Sequence, residues 1–237
     1  MKLPYVENPP QFDDQKDQEI VERVKQRRGE RGLQPLDLTL LHSPPIADGW
    51  NSFLGAIRTR TTLSATVREL AVCRVAVLNK AWYEWMHHVP LLRAAGEIDE
   101  EGIQHILRAP PAGRRPTQHA ADGAQDSGPG ITAMAQENSV ARQNATEIPA
   151  VQAMGTEPQR TGRLEERLLA VMAYTDAMTL DVRVDEATFG RLKEHFNDRE
   201  VVEITGTVAA YNCVSRFLVA MDVGEQAGKA GPLGETE

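Results

Sequence analysis

Apolar residues recur three and four positions apart through most of the chain, which is the period of a helix face and not of a strand. In 14–29, DQKDQEIVERVKQRRG, Ile20 and Val24 stand four apart in a charged setting. Trp50, Phe53, Leu54 and Ile57 repeat the spacing across 46–58. Ser64 is placed to cap a helix over 65–79 whose apolar face includes Leu70, Val77 and Leu78. A second helix follows over 81–95 with Gly96 as its stop, and Asp99 caps a short one ending near Leu107. Further on, 163–179 carries Leu164, Leu168, Val171 and Met172, and Asp185 caps 186–195. Asp198 is expected to cap a long last helix with Val201, Ile204, Val208, Tyr211 and Phe217. No segment sustains alternation of period two between hairpin turns. The pattern predicts an all-α bundle.

Residues 109–162 break the pattern. They hold no Leu, Phe, Trp or Tyr and are rich in Ala, Gly, Pro, Gln and Thr. Such a stretch offers too little apolar area to offset its ordering entropy. It is expected to be a disordered insert or long loop. It separates 1–108 from 163–223, two parts of one helical domain. Residues 224–237 are expected to be a flexible tail.

Composition narrows the function. The 237 residues carry 34 acidic against 26 basic side chains, a formal net charge of -8, which argues against nucleic acid as the main partner. No apolar run approaches the ~20 residues of a membrane span, and MKLPYVENPPQFDDQ lacks the apolar core of a secretory signal. Cys73 and Cys213 make no disulfide framework. A cytoplasmic protein with no membrane role is expected. The six histidines form no metal-ligand pattern, and GAIRTRT is no phosphate loop, so neither a metal nor a nucleotide is expected. The charges of 13–31 read as a solvated helix face.

The densest chemistry lies in 68–96, RELAVCRVAVLNKAWYEWMHHVPLLRAAG. On a helix over 81–95, Ala81, Glu84, Trp85, His88 and Leu92 share one face. A carboxylate and an imidazole four positions apart, Glu84 and His88, can touch. Partial desolvation beside Trp85 raises the carboxylate pKa and lowers that of the imidazole, while their mutual attraction opposes both. Such a pair suits proton transfer near neutral pH. Glu69 reaches the same region if the helices 65–79 and 81–95 form a hairpin. His87 points about 100° away from His88.

These residues carry a resemblance. Arg68, Glu69, Leu70 and Ala71, then Tyr83, Glu84, Trp85 and His88, then Ala94, Ala95 and Gly96 resemble the carboxymuconolactone decarboxylase family, which includes the alkylhydroperoxidase-type proteins. The stretches around Tyr174–Asp176–Met178, Val184–Asp185–Glu186 and Glu203, Tyr211–Asn212 and Arg216 resemble its C-terminal half. The resemblance covers roughly 40–108 and 163–222 and implies an orthogonal bundle of the alkylhydroperoxidase-like type, with the stretch 109–162 as a departure. In the peroxidase branch a Cys-x-x-Cys pair precedes the His, with a Glu twelve residues upstream of the first Cys. Here the two Cys positions are Ala81 and Glu84, and the upstream Glu is Glu69. Dithiol peroxide reduction is therefore not expected.

The resemblance then implies the branch without thiols: a cofactor-free decarboxylase acting on a small carboxylated lactone or a related aromatic or polyketide-like acid. His88 is the expected general acid, with Glu84 tuning it and Glu69 relaying protons or holding water. Tyr83 and Trp85 are expected to contact substrate, and Arg74, Arg58 or Arg216 to receive its carboxylate. The resemblance also implies a homo-oligomer, a trimer or hexamer. Two other readings compete: a related acid/base enzyme such as a dehydratase or isomerase, and a non-catalytic scaffold or ligand-binding protein that kept the fold. A cavity on which Glu69, Glu84 and His88 converge would separate the enzyme from the scaffold.

Overall fold

The computed structural model describes residues 1–112 and 164–234, and among these it contains helices and no strand. The order is α1 (Gln15–Arg28), a short 3-10 turn (Gly29–Arg31), α2 (Pro35–Leu40), α3 (Pro44–Thr59), α4 (Ala65–Leu78), α5 (Trp82–Ala95), α6 (Glu100–Arg108), α7 (Glu166–Leu180), α8 (Glu186–Lys193) and α9 (Asp198–Met221). The all-α expectation holds. The insert expected at 109–162 lies, from 113 on, outside the described residues.

Local chemistry sets the boundaries. Asp14 caps α1 through the amides of Lys16 and Asp17, and Ser64 caps α4 through Val67. Asp99 caps α6 and Asp185 caps α8. Gly96 closes α5 at φ 78°, a left-handed turn that costs glycine little. Asn197 and not Asp198 caps α9, because its side chain takes the Glu200 amide while Glu200 bonds back to the Asn197 amide. α2 escapes the hydrophobic pattern because it spans only six residues.

α4 is the centre of the bundle. Eleven of its fourteen residues are buried, so it is a helix enclosed on nearly every side. α5, α6, α7 and α9 all pack on it. Helices before and after residues 113–163 therefore share one core. The three residues Asn79–Ala81 reverse the chain between α4 and α5, which makes the two helices antiparallel neighbours. This hairpin is what brings Glu69 towards His88.

A buried ion pair joins α4 to α7. Arg74 is wholly buried and donates to both carboxylate oxygens of Asp176, at 2.5 and 3.0 Å. Its remaining bond goes to the Ile106 carbonyl at 2.7 Å, and Asp176 Oδ2 also accepts the Ala112 amide at 2.9 Å.

α9 is 24 residues long and apolar enough, by length and composition, to span a bilayer, as packed core helices also can be; here it packs against α3, α4, α5, α7 and α8. One sequence expectation needs correction. The chain from Gly224, expected to fray, forms turns against α5. Gly231 lies so close to the Trp82 indole that a Cβ would stand 2.4 Å from it, and Leu233 packs on the core. Apolar contact with two aromatic residues, Trp82 and Tyr83, holds this segment where composition alone suggests a loose end.

Candidate functional site

A cavity of about 540 Å³ opens between the end of α1, α2, α3, α4, α5 and α9. Its wall contains Glu69, Glu84 and His88 together, the convergence that an acid/base site requires. Glu84, His87, His88 and Leu91 come from one stripe of α5, at positions i, i+3, i+4 and i+7.

The contacts among the three differ from the expected ones. Glu84 does not bond His88. The imidazole Nδ1 instead meets Glu69 Oε2 at 2.7 Å, across the α4–α5 hairpin. Glu69 Oε1 in turn accepts Arg68 Nε at 3.2 Å. Burial pushes His88 below the usual imidazole range, and the bond and charge of Glu69 only partly restore it. Burial works to raise Glu69, but the bond and charge of His88 and the charge of Arg68 outweigh it and hold the carboxyl below its ordinary range. The pair is thus a carboxylate accepting Nδ1–H from a neutral imidazole. Nε2 then carries the lone pair.

Glu84 has the opposite bias. It is 2% exposed, and burial pushes its pKa well above the carboxylate range; the Ser215 hydroxyl and the charge of Arg58 pull it down by less. Ser215 Oγ donates to Oε1 at 3.0 Å, and Oε2 is buried without a partner. The protonated acid is the favoured form. One site therefore holds a basic nitrogen and an acidic proton, one helical turn apart on α5.

Arg58 supplies the positive charge. Its Nε donates to the Tyr211 hydroxyl at 2.7 Å, and its guanidinium carbon stands 5.6 Å from that ring's centre. Burial works against its charge, but Tyr211, Glu69 and Glu84 outweigh that and keep it protonated. At Tyr211 burial dominates and pushes the phenol up to about 12, so the partner Arg58 bonds is neutral. The Tyr211 ring also meets the His88 imidazole edge-on, centroids 5.1 Å apart.

The remaining expected contacts divide. Tyr83 is half-buried and lines the cavity. Trp85 does not line it; its indole is buried in the core. Arg74 is committed to Asp176 and Ile106, and Arg216 lies exposed on α9 against Asn212. Neither lines the cavity. Arg27, Arg28 and Arg31, expected on a solvated face, line its mouth. Arg27 and Arg28 both clamp the buried Asp37 carboxylate. Tyr211 was read on the apolar face of the last helix and in the stretch resembling the family's C-terminal half, and Ser215 was not singled out. The legible signal was their spacing: Tyr211, Val214, Ser215 and Leu218 form one stripe of α9, with a hydroxyl amid apolar neighbours.

Among the described residues no cluster of metal-ligating side chains occurs. Cys73 is buried, and burial raises its thiol well above the ordinary range. Ala81 and Glu84 occupy the places where the peroxidase branch has its thiols.

Residues 44–126 match the family model described as Carboxymuconolactone decarboxylase family, which takes in α3 to α6 and the residues of both acid/base groups. Over this stretch, about a third of its length, the chain is similar to the carboxymuconolactone decarboxylase family. The fold also has a likeness among solved structures. It is similar to the crystal structure of an uncharacterized peroxidase-related protein from Silicibacter sp. TM1040, with a TM-score of 0.57 and 14% identity over 94% of this chain and 92% of that one. A comparison with curated proteins finds no match. Glu69, Glu84 and His88 all fall within the matched stretch.

Proposed function

We propose that the chain is a cofactor-free decarboxylase of a small carboxylated lactone or related acid. The observation that carries this reading is the buried Glu84 carboxyl, its Oε2 partnerless, in a cavity that also holds the guanidinium of Arg58. The substrate carboxylate pairs with Arg58. When its C–C bond breaks, CO₂ leaves and the electron pair moves into the conjugated carbonyl as a dienolate. The negative charge stays within the field of the same guanidinium, which remains its counter-charge. Glu84 then gives its proton to carbon, and solvent restores it by way of the cavity. In this reading Glu84, and not His88, is the general acid, because the desolvated imidazole favours its neutral form. His88, held by Glu69, accepts protons at Nε2.

A second reading has one observation in its favour: a base and an acid stand ready together. Proton removal by His88 and return by Glu84 would shift a double bond with no loss of CO₂. A scaffold without catalysis leaves both the partnerless Glu84 oxygen and Arg58 unexplained.

The experiment incubates the protein with carboxylated γ-lactones and cyclic β,γ-unsaturated acids in deuterium oxide and follows CO₂ and label together. CO₂ release that collapses in Glu84→Gln supports decarboxylation. Label uptake without CO₂ transfers the site to the isomerase reading, and neither product from any substrate overturns both.

A further inference from the structure

The cavity lining combines cationic and aliphatic side chains, and this combination sorts its ligands. The cationic ones come from α1, the 3-10 turn, α3 and α4. The aliphatic ones are Leu91 from α5 with Val214 and Leu218 from α9. The five arginines of the lining are not equivalent. Arg27 and Arg28 spend their charge on Asp37, and Arg68 on Glu69. Arg31 is exposed and screened by solvent. Arg58 alone among them is both removed from solvent and bonded to a neutral partner. The site thus has one partly buried cation bonded to a neutral partner, and an aliphatic lining of Leu91, Val214 and Leu218 that gives a ring apolar contact. Its volume, about 540 Å³, lies in the range of pockets that enclose ligands larger than a single small ring.

We infer that the ligand is an amphipathic monocarboxylate, whose carboxylate pairs with Arg58 and whose fused or substituted ring lies against Leu91, Val214 and Leu218. This rests on the reading of the cavity as the active site and names its substrate class. A compact dicarboxylate gains no contact from the aliphatic lining, and its second charge meets the field of the Glu69 carboxylate.

The test measures binding without turnover. The full chain is titrated by calorimetry with 2-naphthoate, benzoate, succinate and inorganic phosphate. Naphthoate is expected to bind at least ~10-fold more tightly than succinate or phosphate, with benzoate between, because ring area is what the aliphatic lining rewards. Arg58→Gln should weaken naphthoate by ~10-fold or more. Leu91 is 44% exposed, so Leu91→Asn is compatible with folding; it should weaken naphthoate by ~5-fold and leave succinate unchanged. Succinate or phosphate binding as tightly as naphthoate overturns the inference, as does an equal effect of Leu91→Asn on both acids or no binding of any carboxylate. Naphthoate binding as described while no acid releases CO₂ would leave the ligand class standing and remove the decarboxylase reading, so the two fail separately.

Discussion

His88 and Glu69 are nineteen residues apart on antiparallel helices, and a 2.7 Å bond between them engages one imidazole nitrogen, Nδ1. The carboxylate takes Nδ1–H, so Nε2 is the free base. Replacing Glu69 by Gln removes the charge that partly restores the His88 pKa. The His88 titration, followed by NMR, should move further down, and any activity limited by this base should fall by ~10-fold or more. An unchanged His88 titration would show that the bond carries no orienting charge.

Glu84 makes stability depend on pH with a definite sign. Its folded pKa is raised, so its contribution is complete below about 4.5, the unfolded value, and is lost as pH rises towards the folded one. Glu84→Gln cannot ionise and escapes that loss. The difference in Tm between Glu84→Gln and wild type should therefore grow in favour of the variant from pH 5 to pH 8. His88 has the opposite linkage: its folded pKa is depressed, so stability is lost as pH falls from about 6.5 towards the folded value. Thermal melts at several pH values check both, and a constant difference for Glu84→Gln would refute the protonated carboxyl.

Tyr211 links the cation to the base. Tyr211→Phe keeps the ring edge against His88 and removes the acceptor of Arg58 Nε. It should cost about 1 kcal/mol of stability. Carboxylate affinity should fall several-fold while the His88 titration stays in place. A shift of that titration as large as the loss of affinity would mean that the ring, not the hydroxyl, had been disturbed.

The Arg74–Asp176 pair predicts a non-additive cycle. Asp176→Asn leaves a buried guanidinium half-answered and should cost roughly 3–5 kcal/mol in urea denaturation. The double change Arg74→Met with Asp176→Leu should be less harmful than the single substitution, since no buried charge is left. Additive losses would show that the two side chains contribute independently.

The thiols should differ in reactivity. Cys213 is exposed, whereas Cys73 is buried with its thiol pKa raised well above the ordinary range. Native protein should take one equivalent of a thiol reagent, and a second only on unfolding. Rapid native labelling of Cys73 would reopen thiol chemistry.

Much of the fold was legible because helix ends are written locally. Asp14, Ser64, Asp99 and Asp185 cap where their side chains can reach free amides, and Gly96 supplies a left-handed stop. Glu69, Glu84 and His88 were legible as residues, but their partners were not. Spacing on one helix favours Glu84 beside His88, whereas the hairpin rotates Glu69 into that place and turns Glu84 to Ser215. The choice among Arg58, Arg74 and Arg216 depended on contacts more than 100 residues away in sequence for the first two: Tyr211 holds Arg58 and Asp176 consumes Arg74. Nor could sequence separate the arginines of 27–31 from ordinary surface charge, because the buried Asp37 that gathers Arg27 and Arg28 lies beyond the end of their helix.

The stripe of α9 alternates duties along its length. Tyr211 and Ser215 support the groups that move charge and protons, while Val214 and Leu218 shape the space beside them. Changes at the second pair can redraw the outline of an accepted molecule without disturbing the first. A lineage built on this helix can drift from one acid to another while its proton chemistry stays fixed, and ligand preference and reaction type can then evolve at different rates within a single surface.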